Sequence, residues 1–199
     1  MDVALAERAG WTARDLARAY LNGGARLLQL RAKALESGAF LEIAAAIAED
    51  AAGAGATLIV NDRADVAALT GAGVHVGQED LSPRDVRQIV GERAVVGCST
   101  HTLEQIDGAL AEPISYLAVG PVFSTHTKDT GYDQVGLAMV TAAARKAERH
   151  RVPVVAIGGI TLETAPQVLA AGAKSVAIIT DLMTRDPAAR VREYLSVVG

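Results

Sequence analysis

A unit of roughly 20–25 residues recurs along this 199-residue chain: a short apolar run, a polar or glycine-bearing turn, then an amphipathic helix pattern. The runs Arg26–Leu30, Thr57–Val60, Gly73–His75, Ala94–Gly97, Tyr116–Val119, Val154–Ile157 and Ser175–Ile179 are short and most are rich in Val, Ile and Leu. They read as apolar on both faces, the mark of strands buried in a parallel sheet. Between and after them, helical periodicity spans Phe40–Ala52, Arg63–Leu69, Pro83–Ile89, Leu103–Leu110, Leu137–Arg149, Leu162–Ala171 and Pro187–Val197. Pro83 and Pro187 fall at helix starts, where a missing N–H costs little. Gly24, Gly55, Gly71 and Gly172 fall in the turns that lead into strands.

Strand and helix in strict alternation give an α/β fold, either an open doubly wound sheet or a closed (β/α)8 TIM barrel. The even unit length, and polar motifs after nearly every run, favour the barrel over a sheet with one switch point. Residues 1–199 read as a single domain, with no low-complexity linker or composition break. Only seven runs are visible. The helix pattern Thr12–Leu21 precedes the first, and Met1–Leu5 is all that stands before it. The first barrel strand is therefore expected to be missing, very short, or encoded ahead of Met1.

Composition excludes several classes. The net charge of −4 argues against a nucleic-acid surface, so anionic ligands would need local cations. No apolar stretch reaches about 18 residues, so no membrane span is expected. The start MDVALAERAGW lacks the apolar core of a secretory signal. A lone cysteine, Cys98, allows no internal disulfide and fits a reducing, cytoplasmic location.

Chemistry in such a barrel gathers at the carboxyl ends of the strands. After the first run, Gln29, Arg31 and Lys33 alternate onto one side, and a buried Arg and Lys there need an anion such as phosphate or pyrophosphate. Lys33 could instead begin a solvated loop. Asn61-Asp62-Arg63 follows the second run and His75-Val76-Gly77-Gln78-Glu79-Asp80 the third. Asp62 and Asp80 could each be a helix cap. Coming from adjacent units, they could equally hold a Mg²⁺, which takes carboxylates, waters and substrate phosphates. Cys98-Ser99-Thr100-His101 supplies small hydroxyls, with His101 either structural or a proton shuttle. The loop Gly120–Lys128 carries Thr125, Thr127 and Lys128, and Lys128 is one of only four lysines in the chain. Gly158-Gly159 and Ile179-Thr180 close the last two units, where barrels often bind a phosphate through glycine-lined backbone. The tally implies two anionic sites, one for a metal-bound pyrophosphate and one for a monophosphate.

The ordered motifs QLRAK, NDR, HVGQED, GCSTHT, GPVFSTHTK and AIGGI resemble those of thiamine-phosphate synthases, from about Thr12 to the C-terminus. The resemblance implies a Mg²⁺-dependent, dissociative transferase. Such an enzyme couples hydroxymethylpyrimidine pyrophosphate to thiazole phosphate and releases pyrophosphate. It further implies that Gln29, Arg31, Lys33, Asn61, Ser99 and Lys128 contact the pyrimidine pyrophosphate and that Asp62 and Asp80 bind the metal. Thr125, Thr127, Gly159, Ile179 and Thr180 would hold the thiazole phosphate. Arg31, Ser99 and Lys128 would act at the reacting centre. The partners implied are small phosphorylated molecules, not nucleic acid or membrane, and a homo-oligomer is compatible with the sequence. Two departures stand out. The LYLVTD strand that opens the family is represented only by Asp2, and Thr180 stands where a serine is usual. A thiazole tautomerase, with His101 as the shuttle, and a non-catalytic phosphate-binding barrel are the alternatives.

Overall fold

A computed structural model describes residues 1–124 and 133–198. Two helices come first, α1 (Val3–Arg8) and α2 (Ala13–Gly23), and then strand and helix alternate. The order is β1 (Leu27–Leu30), α3 (Ser37–Gly53), β2 (Thr57–Asn61), α4 (Ala64–Thr70), β3 (Gly73–Val76), α5 (Pro83–Val90), β4 (Val96–Thr100), α6 (Leu103–Leu110) and β5 (Tyr116–Val119). It continues with α7 (Gly136–His150), β6 (Val154–Ile157), α8 (Ala165–Ala170), β7 (Ser175–Ala177), a 3-10 turn (Thr180–Leu182) and α9 (Pro187–Val198). The seven strands pair in chain order, all parallel.

Period-two alternation sorts each strand. Leu28, Leu30, Leu58, Val60, Val74, Val76 and Val96 pack outward in one core with α2, α3, α4 and α5. Cys98, Leu117, Val119 and Val154 continue that layer against α6 and α7. Ala156 joins Val140, Val168 and Tyr194 further round. The opposite set, including Gln29, Ile59, His75, Tyr116, Ala118 and Ile157, faces a single cavity. Side chains of both β1 and β7 line that cavity, so the sheet curls until its two edges face one space. Outside the gap between these edges, α2 lies against α9. Their approach depends on Gly23, where a Cβ would fall 2.7 Å from the Ala188 carbonyl oxygen and from Val191.

Helix starts are set locally. Ser82 Oγ accepts the Asp85 N–H ahead of Pro83, Thr12 Oγ1 that of Asp15, and Thr102 Oγ1 that of Gln105.

The barrel expected with its first strand missing or very short is found in part: among the described residues the sheet is a curled set of seven parallel strands, not a closed eight-stranded barrel, and β1 and β7 do not pair. The eighth position holds a fragment only: Asp2 forms a lone parallel bridge with Arg31, Arg31 N–H donates to the Met1 carbonyl, and Val3 N–H donates to the Arg31 carbonyl, each at 2.9 Å. The chain then leaves the ladder because Asp2 caps a helix, its carboxylate accepting the Leu5 N–H, and Val-Ala-Leu-Ala-Glu-Arg continues it. The last strand also ends at Ala177, short of the expected Ile179, since its only ladder, to β6, runs out there.

In register, Asn61, His75, Gly97 and Tyr116 form one layer across β2 to β5. The Tyr116 ring occupies the space over Gly97, where a Cβ would sit 2.0 Å from Tyr116 Cζ. Gly97→Ala is therefore expected to destabilise the fold by about 1–3 kcal/mol through overpacking, read from urea unfolding midpoints at unchanged slope.

Candidate active site

Strand alternation delivers Gln29 and Arg31 to the cavity from β1 and its continuation. Beyond them, Lys33 Nζ lies 3.6 Å from Asp62 Oδ2, joining the chain after β1 to that after β2. Asp62 has φ +64°, a left-handed conformation that Asn and Asp adopt more readily than other L residues, and its N–H donates to the His75 carbonyl. Lys33 and Asp62, from the first two units, thus meet, while Gln29 and Arg31 line the cavity. Asn61, buried at 9% exposure, sits in the same layer as His75.

A polar chain crosses the cavity. The Gln29 side chain bonds the Tyr116 phenol, Tyr116 Oη lies 2.8 Å from His75 Nδ1, and His75 Nε2 lies 2.7 Å from Ser99 Oγ. The His75 and Tyr116 rings stack at 5.6 Å between centroids. Burial holds the Tyr116 phenol well above its ordinary pKa, against the opposing pull of the Gln29 hydrogen bond, so Tyr116 keeps its proton. With the Gln29 amide donating to Oη, the phenol O–H donates to Nδ1. For a neutral imidazole, Nε2–H then donates to Ser99 Oγ. That order leaves the Ser99 hydroxyl hydrogen to point at a ligand. Ser99 and Gln29, expected as separate contacts, are the two ends of one network.

Neither His75 nor Tyr116 stands among the site residues expected from the sequence. Their signal was present: His75 stands between two valines in a run apolar on both faces, and a buried imidazole needs partners for both ring nitrogens. Which partners it finds depends on register.

Asp80 is exposed after β3, and its carboxylate accepts the Gly77 N–H at 2.8 Å. Gln78 Nε2 donates to the Ser99 carbonyl oxygen at 2.6 Å, tying this loop to β4. Among the described residues no group of three or more His, Cys, Asp and Glu side chains could hold a metal. A cation here would draw on a carboxylate pair plus oxygens from a ligand. His101 Nδ1 faces the Gly120 carbonyl at 2.5 Å and must donate to it, which anchors the ring to the end of β5. The Cys98 thiol is buried and pushed up to about 11, chiefly by desolvation, so it stays protonated and packs as a small apolar group.

The late loops form a second locus. Gly158 and Gly159 have φ +99° and +64°, and a Cβ on Gly159 would fall 2.6 Å from the Ser124 carbonyl oxygen. Val122 and Phe123 N–H groups donate to the Ile157 and Gly158 carbonyls at 2.9 and 3.0 Å. Phe123, Ile160, Ile178 and Leu182 share one apolar cluster, which brings the segments after β5, β6 and β7 together. The 3-10 turn that starts at Thr180 is tethered to α9, Asp181 Oδ2 accepting from Arg190 Nη2 and Tyr194 Oη at 2.8 and 2.5 Å. Thr125, Thr127 and Lys128 lie outside the described residues.

Arg31 has an unusual environment. Its Nη1 donates to Asp2 Oδ2 at 2.5 Å, and its Nε is buried without a hydrogen-bond partner. A buried cationic donor left unpaired is costly unless a ligand or water supplies an acceptor.

Comparison with known proteins follows the same lines. The family model described as thiamine monophosphate synthase matches residues 5–182. The thiamine-phosphate synthase of Koribacter versatilis is 42% identical, over 94% of this chain and 87% of its own length. That of Caldicellulosiruptor saccharolyticus is 39% identical over 86% of this chain and 77% of its own. A solved thiamine phosphate pyrophosphorylase from Pyrococcus furiosus superposes with TM-score 0.86 at 29% identity, covering 94% of this chain and 89% of that one. A 3-hexulose-6-phosphate synthase, at TM-score 0.64 and 19% identity, shares the fold alone. With the family model covering most of its length and relatives this similar, the chain belongs to the thiamine monophosphate synthase family.

Proposed function

We propose that this chain is a thiamine-phosphate synthase. It joins the methylene carbon of a hydroxymethylpyrimidine pyrophosphate to the nitrogen of a thiazole phosphate, with release of pyrophosphate. The observation that carries the site assignment is the buried, unpartnered Nε of Arg31 at the cavity mouth. A pyrophosphate oxygen is an acceptor of the kind that donor lacks.

The bond from carbon to pyrophosphate breaks first, leaving a pyrimidine-methyl cation that the thiazole nitrogen then attacks. No strong general base is needed, so the protein's contribution is to stabilise leaving charge and hold two partners in line. Arg31 and Lys33 are assigned to the pyrophosphate. Gln29, Asn61 and Ser99 are assigned to the pyrimidine substrate, with the Ser99 hydroxyl oriented through His75 and Tyr116. Gly159 and the Ile179–Thr180 backbone are assigned to the thiazole phosphate. Thr125, Thr127 and Lys128, outside the described residues, are assigned by resemblance to the thiazole phosphate and, for Lys128, to the pyrophosphate.

Mg²⁺ fits the donors at hand. Asp62 and Asp80 follow neighbouring strands, offer oxygen ligands only, and leave coordination positions for waters and substrate phosphates. When bound, the ion would neutralise charge on the leaving pyrophosphate. Lys33 beside Asp62 holds that carboxylate near the mouth. A cytoplasmic setting and a barrel completed at the Met1–Asp2 position belong to the same reading.

Pyrophosphate release and the kinetics of single variants test it. Pyrophosphate is expected to appear only when both phosphorylated substrates and Mg²⁺ are present, whereas a tautomerase would release none. In that assay Asp80→Ala is expected to lower turnover by about 10²-fold or more with an unchanged circular dichroism spectrum; unchanged turnover removes its metal role. Tyr116→Phe keeps the ring over Gly97 and deletes the hydroxyl with its hydrogen bonds to Gln29 and His75, so kcat/KM is expected to fall about tenfold. Ser99→Ala is expected to cost a similar factor, and the double variant little more, because both break one chain.

A further inference from the structure

The reading above assigns Arg31 to the pyrophosphate but leaves open what sets the direction of its guanidinium. We infer that Asp2 is a positioning residue for Arg31, holding the guanidinium so that its Nε/Nη2 edge is presented to a pyrophosphate. The inference rests on the assignment of Arg31 in the proposed function.

Asp2 is held before it holds anything. Its backbone is bridged to Arg31, with Met1 and Val3 hydrogen-bonded to the two sides of that residue. Its Oδ1 accepts the Leu5 N–H, fixing the carboxylate against the start of α1. Its Oδ2 is then committed to Arg31 Nη1, in a pair whose side chains are 15% and 25% exposed. A guanidinium is planar and rigid, so gripping Nη1 from a fixed carboxylate fixes the whole plane. Nε and Nη2 form the other edge, the fork that matches two oxygens of one phosphate. At that edge Nε is buried and has no partner. Asp2 thus occupies a donor that a side-on phosphate contact does not need, while Nε, enclosed in this structure, is left without an acceptor.

A purely structural salt bridge would fasten α1 to the sheet and nothing more. The two roles separate in what they do to the two substrates. Asp2→Asn keeps a good helix cap and similar shape but removes the charge that grips Nη1. Titration calorimetry with inorganic pyrophosphate is expected to show about tenfold weaker binding in Asp2→Asn than in the parent protein, about 1.4 kcal/mol. The KM for the pyrimidine pyrophosphate is expected to rise by a similar factor while that for the thiazole phosphate stays within about twofold. In an Arg31→Lys background the same change is expected to have little further effect, because the planar group it orients is gone.

Unchanged pyrophosphate affinity in Asp2→Asn overturns the inference. So do equal losses for both ligands, a loss of the same size in the Arg31→Lys background, or a thermal midpoint so low that the variant is unfolded at assay temperature. A parent protein that binds pyrophosphate yet couples nothing sinks the proposed function and leaves the role of Asp2 standing. One that binds no pyrophosphate sinks the role of Asp2.

Discussion

The arrangement depends on the alternation of side chains along buried parallel strands. The central strands here have two buried faces with different tasks. The outward set is mostly aliphatic, with Cys98 among it, and holds the helices. The inward set is free to be mixed, because it meets only other strands across the cavity. Burying a Val or Leu side chain contributes about 1.5–3 kcal/mol, so the outward layer alone supplies the bulk of the driving force. That surplus is what allows Gln29, His75, Tyr116 and Ser99 to stand inside, where isolated polar groups would each be costly.

Those polar residues are tolerated because they satisfy one another. Removing side-chain volume at Gly97 creates the space for the Tyr116 ring, and the ring delivers its hydroxyl to His75. The network then ends on Ser99 near the carboxyl end of β4, so an interior that must be satisfied for stability also fixes the place of a hydroxyl there. The cationic groups are organised similarly, by pairing. Lys33 lies beside Asp62 and Arg31 is held at Asp2, which sets each cation next to a carboxylate.

The open edge between β1 and β7 is the structural oddity of the chain. Three residues stand in the position of a strand, and the helix capped by Asp2 follows at once. Contact between α2 and α9 spans the gap on the outside. The candidate residues Gln29, Asn61, Ser99 and Gly159 nevertheless stand at the carboxyl ends of β1, β2, β4 and β6 or just after them, not in the short fragment.

Much was legible in order along the chain. Seven strands and the helices from α2 onward follow from apolar runs and helical periodicity, both of which are local. Gln29, Arg31 and Lys33 follow from counting by two, and the late glycines from their place after a strand. Neighbouring carboxylates at Asp62 and Asp80 could be paired once adjacent units were known to be adjacent strands. What stayed hidden depends on register and closure. Nothing in the spacing of His75 and Tyr116, 41 residues apart, says that their rings stack or that His75 links Tyr116 to Ser99. Nor does the run Met1–Leu5 show that Asp2 would turn it from strand to helix and seize Arg31. Sequence determined which faces are apolar and which residues stand at strand ends, because periodicity is a property of a single segment. Only the tertiary structure decided which polar atoms meet, because hydrogen bonds across a cavity depend on the stagger between strands and on how far the sheet curls.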